Sequence, residues 1–317
     1  MRPLLPAVLA LGLAVPAAAG EGTRGLAWLG EESVRFQLTS RIELPQVFHV
    51  EAEHNLEGRV SDLRVQVVTT CEPEARRRVL DLTCDLDAIS LAGAPVASAP
   101  GRVGKILEEW SEKLTGARVE VTLGRNGRVR GLRLDGVDME SENARTTRIR
   151  GNMRVLLQRP FALLDLELPR RGDDRGRSWT QRESLALGFV SQVGTQGRAP
   201  VEHEVTDHEG AGIVAIRSEG AGTLGSGQMV AVGGQERPAN LYEMTLTGTA
   251  RFDTERGRLL ERTYRARGTP TASSVDAVGG EGYPYVQTAR LQVLEGEDTP
   301  ELRPTGELEP RDRPTTR

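Results

Sequence analysis

The stretch DMESENARTTRIRGNMRVLLQRPFALLDLELPRRGDDRGRSW, residues 138–179, is the part of the chain that does not read as β-strand. Within it Ala144, Ile149, Met153, Leu156 and Leu157 recur at helical spacing and predict a helix over 140–158. Gly151 weakens that helix by about 1 kcal/mol relative to alanine. Pro160 has no backbone donor and is expected to stop it. An apolar run from Phe161 to Pro169 and a charged loop from Arg170 to Arg177 follow, and Ser178-Trp179 restarts an alternating pattern. Residues 137–177 thus read as a helical connector between two β-rich arms, 33–136 and 178–296, of one domain, 33–296.

In the first arm the period is two. Val34, Phe36 and Leu38 alternate with Arg35, Gln37 and Thr39, and Phe48, Val50 and Ala52 with His49, Glu51 and Glu53. Leu63, Val65 and Val67 lead through Cys71 to a turn at Glu72-Pro73-Glu74, after which Leu80, Leu82 and Leu86 continue. Such strands are antiparallel and half buried, one face on a core and one in water. Val103, Ile106, Leu107, Trp110 and Leu114 make the apolar face of a second helix over 103–115, ended by Gly116. Arg125-Asn126-Gly127 between apolar runs predicts a hairpin.

The second arm repeats the style. Leu185, Leu187 and Phe189 alternate, and Tyr242, Met244, Leu246, Ala250 and Phe252 alternate with Glu243, Thr245, Thr247, Thr249 and Arg251. The expected fold is mainly β: a curved antiparallel sheet or open barrel of about a dozen strands, with two short helices covering one face. The shared strand, Gly-turn and return-strand order of the arms hints at duplication, which hairpin signals alone would also produce. Residues 297–317, rich in Pro, Glu, Thr and Arg, read as a disordered tail.

Ahead of the arms, residues 1–19 read as a signal peptide: Arg2, an apolar run from Leu4 to Val15, and a small-residue cleavage site at Ala17-Ala18-Ala19. Residues 20–32 form a lead segment with Leu26, Trp28 and Leu29. No apolar run reaches the roughly 20 residues of a membrane helix. The expectation is an exported chain without a membrane span, periplasmic or extracellular.

The net charge of −4 is mild, lysine occurs only at 105 and 113, and arginine is spread over every segment. No concentrated basic face marks a nucleic-acid binder, and aromatics at 4% leave little to stack bases or sugars. In an exported chain Cys71 and Cys84 read as a disulfide, each on the apolar phase of its strand; two buried free thiols is the other reading. Two cysteines without nearby histidine fall short of a metal site, and no cofactor is expected.

Gly220-Ala-Gly-Thr-Leu-Gly225 matches the spacing of a dinucleotide loop, yet Ser226-Gly227 and a strand-like run follow where a helix must hold the pyrophosphate. A flexible loop is expected there. His203 and His208 are five apart on a strand and point to opposite faces. No G-x-S-x-G elbow or S-x-x-K occurs, so no catalytic constellation is visible, although triads assemble in space. Glu51 with Glu53, and Glu202 with Glu204, read as wet strand faces, and Arg171-Gly172-Asp173 as a chance tripeptide.

Leu168-Pro169 followed by Gly176-Arg177-Ser178-Trp179 resembles a pattern in a family of uncharacterised β-rich bacterial envelope proteins, in which Leu-Pro precedes Gly-Asp-x-Trp. The Asn126-Gly127 hairpin and Gly248-Thr-Ala-Arg-Phe-Asp253 with Gly257 are similar to that family's other features. Arg177 stands where an acidic residue is usual, and a charged insertion follows Pro169. The resemblance implies a fold and a compartment, not a reaction. More loosely, the one-sided strands are similar to the curved open barrels of lipoprotein and lipid carriers.

Strands that are apolar on one face need a cover. A cavity lined by Leu187, Phe189, Met244 and Leu246 would accept an acyl chain or similar ligand. The expected function is therefore a non-enzymatic binding module for an apolar or amphiphilic ligand, with a lipid or an envelope protein as partner. The alternative is a structural or protein-interaction component of the envelope, with its core filled by its own side chains.

Overall fold

The structure, a computed structural model, places the alternating runs Val34–Leu38, Phe48–Val50, Leu63–Val67, Leu80–Leu86 and Tyr242–Phe252 in strands. It describes residues 32–54, 56–76, 79–96, 101–124, 126–168, 178–184, 198–208, 212–225, 229–232, 235–238, 241–271, 285–296 and 300–308. The expected signal peptide at 1–19, all but the last residue of the lead segment at 20–32, Leu187 and Phe189, and the loop 170–177 lie outside them.

The first arm is a meander of β1 (Val34–Glu51), β2 (Glu57–Ala75), β3 (Val79–Pro95), β4 (Arg118–Gly124) and β5 (Val129–Asp135), with α1 (Arg102–Leu114) between β3 and β4. The second runs through β6 (Ser178–Ser184), β7 (Arg198–His208), β8 (Ile213–Gly225), β11 (Leu241–Asp253), β12 (Arg258–Pro270) and β13 (Tyr285–Val293). A separate hairpin, β9 (Met229–Val232) with β10 (Gln235–Pro238), intervenes. The two meanders meet where β1 pairs with β13, giving one open sheet in the order β5-β4-β3-β2-β1-β13-β12-β11-β8-β7-β6. Among the described residues it is a mainly antiparallel, unclosed sheet with two helices, as expected.

Both helices bury apolar stripes. Helix α1 buries Val103, Ile106, Leu107, Trp110 and Leu114, and α2 (Ala144–Phe161) buries Ile149, Met153, Leu156, Leu157 and Phe161. The ends of α2 differ from the predicted ones at 140 and 158. Asn143 caps α2, its side chain accepting from the N–H groups of Arg145 and Thr146 while Thr146 Oγ1 accepts from Asn143 N–H. Pro160 does not stop it: it sits in the last turn, and the chain runs on into a 3₁₀ turn at Ala162–Leu164.

The connector has to travel from the β5 edge to the β6 edge, and it does so across the inside of the sheet. Residues Asp165–Leu168 touch both edges on the way. Val129 N–H donates to Asp165 Oδ1 at 2.9 Å, and Asn126 in the β4–β5 turn binds both Glu167 and Leu168. From β6, Trp179 Nε1 donates to Glu167 C=O at 2.6 Å and Gln181 Oε1 accepts from Glu167 N–H at 2.8 Å. Arg262, on the inner face of β12 and nearly fully buried, donates to the carbonyls of Leu163 and Asp165 at 3.0 and 2.8 Å. Leu163, Leu164, Leu166 and Leu168 fill the space between.

Two expectations are corrected. Residues 300–308 of the presumed disordered tail are held on the sheet: β14 (Gly306–Glu307) pairs in parallel with Ala92–Gly93 of β3. Strand β4 reaches only Val79–Asp85, so the far half of β3 has a free edge for it to cover. Arg303 N–H donates to Gln66 Oε1, and Ser90 Oγ to Arg303 C=O. Likewise Gly220–Gly225 is not a flexible loop but the end of β8, paired with Leu241–Leu246 of β11.

Candidate functional site

Of the four predicted lining residues, Met244 and Leu246 can be placed, two apart on the inner face of β11 and each 1% exposed. The register decides what surrounds them. Met244 lies between Gly222 of β8 and Gly268 of β12, and Leu246 between Gly220 and Ala266. Tyr242, Ala250 and Phe252 continue the same apolar row of β11. A Cβ on Gly220 would come within 2.8 Å of Val201 Cγ2, so there β7 closes over the space. At the other glycines the strand partners supply no side chain to the inner layer. The helices lean the other way: α1 packs on β2 and β3, α2 mainly on β1 and β2, and the 3₁₀ turn on β12 and β13.

Beside this apolar patch runs a polar row that sequence reading did not assemble. Trp179, His203 and Ser218 are successive cross-strand partners on β6, β7 and β8. His203 Nδ1 lies 2.8 Å from Ser218 Oγ, and the Trp179 and His203 rings stack at 5.1 Å between centroids. The alternation Val201, His203, Val205 was the signal available, since it puts His203 on the apolar phase. A histidine beside a serine hydroxyl is the start of a nucleophile–base arrangement. Here His203 is 0% and Ser218 3% exposed, so no substrate reaches the hydroxyl, and the pair instead holds β7 and β8 in register. Among the described residues no group of three His, Cys, Asp or Glu is placed to hold a metal ion.

At the other end of the inner face the β1–β2 turn is gripped by both helices. Trp110 Nε1 donates to Glu51 C=O at 2.7 Å, and Arg145 Nε to Ala52 C=O at 3.0 Å. Arg148 forms a two-pronged pair with the Glu51 carboxylate, at 2.8 and 2.6 Å, which holds the Glu51 pKa below its ordinary value. Cys71 and Cys84, cross-strand partners on β2 and β3, form the disulfide. No described helix is long and apolar enough to cross a membrane.

No family model matches the chain, so the envelope-family resemblance gains no support, and no curated protein matches it. Among solved structures the chain is similar to a lipovitellin described for its lipid–protein interactions, with 12% identity and a TM-score of 0.49, over 90% of this chain and 27% of that one. The chain thus spans about a quarter of that protein's length.

Proposed function

We propose that the chain is an exported, non-catalytic binding module that holds an apolar or amphiphilic ligand, a lipid or acyl chain, against the inner face of its second arm. Residues 1–19 would be its cleaved signal and 20–32 its lead segment. One observation carries the reading: Met244, at the middle of that face, has glycine as cross-strand partner on both sides. Dense cores fill such positions with side chains; a strip of glycine lets a flexible chain approach the backbone instead.

The other reading, a structural or protein-interaction component of the envelope, is favoured by the inner side of the first arm, where Trp110 of α1 and Leu157 and Phe161 of α2 are wholly buried and fill the interior. The two part on ligand occupancy. Native mass spectrometry of the protein from its own envelope should find a co-purifying lipid, and a fluorescent fatty acid should bind saturably. Met244→Trp, which fills the strip, should weaken that binding about tenfold, roughly 1.4 kcal/mol. No co-purifying lipid together with no saturable fatty-acid binding would leave the structural reading standing.

A further inference from the structure

The outer face of the same sheet carries a hollow of about 480 Å³ over β1, β8, β11, β12 and β13. Its floor is five threonines, Thr39, Thr247, Thr249, Thr263 and Thr288. Threonine is an ordinary residue for a wet strand face, so the floor alone decides nothing. The guanidiniums around it do. Arg217 is neutralised by Glu219 at 2.8 Å and Arg290 by Glu261 at 2.9 Å. Arg265 lies between Thr247 and Thr288 in one cross-strand row, is exposed, and makes no ion pair among the described residues.

We propose that this hollow is an oxyanion site for a phosphate ester, with Arg265 as its principal ligand and the flanking threonine hydroxyls as further donors. With Arg217 and Arg290 each paired to a carboxylate, Arg265 is the uncompensated charge among the described lining residues, so the hollow favours a negative group. A planar guanidinium with parallel N–H groups matches two oxygens of a phosphate. Threonine hydroxyls donate to oxygen without adding charge. The volume exceeds one phosphate and leaves room for the group esterified to it. Among the described residues no aromatic side chain stands at the outer rows for a base or sugar to stack on, which points away from nucleotides. The site lies on the opposite face from the proposed lipid strip and does not rest on it.

The ester can belong to a free metabolite or to an anionic phospholipid headgroup, and two probes separate these. Calorimetric titration with inorganic phosphate should show saturable binding that Arg265→Gln weakens about tenfold, and that Arg182→Gln, an exposed arginine on β6, leaves unchanged. Thr247→Val should weaken it about threefold. In parallel, sedimentation with phosphatidylcholine vesicles is compared with and without phosphatidylglycerol. Phosphate binding without a gain from phosphatidylglycerol assigns the site to a free ester; a gain that Arg265→Gln abolishes assigns it to a headgroup. Both support the site. No saturable phosphate binding together with no phosphatidylglycerol-dependent sedimentation overturns it, as does an Arg265→Gln protein that binds as the wild type does.

Discussion

Glu51 ends β1 with a side chain only 8% exposed, and it is charged because Arg148 meets it. Hydrogen bonding from Arg148 is the main cause of its lowered pKa, outweighing the opposing effect of burial. The sign follows from proton counting. In the acid range the folded carboxyl holds fewer protons than the unfolded one. Its contribution is therefore complete above the unfolded value, 4.5, and is lost as pH falls through the folded one. Arg148→Met should shrink the difference in urea-unfolding free energy between about pH 7 and pH 3. An unchanged difference would mean that the pair plays no part in acid sensitivity. The disulfide belongs to the same scale. Cys71 and Cys84 are 13 apart in sequence, a loop whose closure stabilises the fold by about 3 kcal/mol in the chain-entropy account. Replacing both by alanine should lower the unfolding free energy by that amount, and thiol titration of the denatured, unreduced wild type should find no free thiol.

The element that ties the molecule together is the four-residue run Asp165–Leu168. A sheet that does not close leaves two edges, β5 and β6, and this run bonds to both while Arg262 donates to it from the middle strands. Arg262→Met keeps the apolar stem but removes the donor from two carbonyls inside the fold. The expected cost is about 2 kcal/mol in chemical denaturation. Hydrogen exchange should rise at Trp179 and Gln181 on β6 more than at Val65 and Val67 in central β2, because the clasp and not the ladder is weakened. Equal acceleration in both strands would instead point to global destabilisation.

At the scale of the whole molecule, the first arm is sealed by a segment from the far end of the chain. Residues 300–308 cover the part of β3 that β4 does not reach, and Leu308 N–H closes onto Gly93 C=O at 2.9 Å. Glu307 Oε1 also accepts from Gly104 N–H at the start of α1. Removal of residues 300–317 should lower the melting temperature and speed exchange at Leu91, Ala92 and Gly93, with β7 and β8 little changed. Unaltered exchange at these three amides would show that the segment does not hold the β3 edge. The same removal leaves Met244, Leu246 and Arg265 untouched, so both proposed sites should keep their binding.

Strand existence and facing were legible in the chain, because alternation is a local property: Tyr242, Met244 and Leu246 point inward whatever lies beside them. The same holds for the apolar stripe of α1 and for the two cysteines, each on the inward phase of its strand. The β4–β5 hairpin was legible through its turn, with Gly127 at φ 83° as Asn126-Gly127 predicted, whereas the turn expected at Glu72-Pro73-Glu74 is strand paired with Asp81–Thr83 of β3. Neighbours were not legible. Ladder hydrogen bonds are the same for any two strands, so alternation selects a face and cannot select β13 as the partner of β1. Nor could it place glycines on both sides of Met244, align Trp179, His203 and Ser218, or gather five threonines around Arg265. Arg262 and Arg159 read as two more of many surface arginines, yet both are buried, Arg159 wholly so and 5.9 Å above the Phe48 ring. The acceptors and the aromatic face that hold these charges lie about a hundred residues away along the chain, as with Leu163 and Asp165 for Arg262. By itself the sequence determined the period, the faces and the cysteine phase, which depend on adjacent residues; tertiary structure alone decided register, clasp and site, because contacts between distant residues create them.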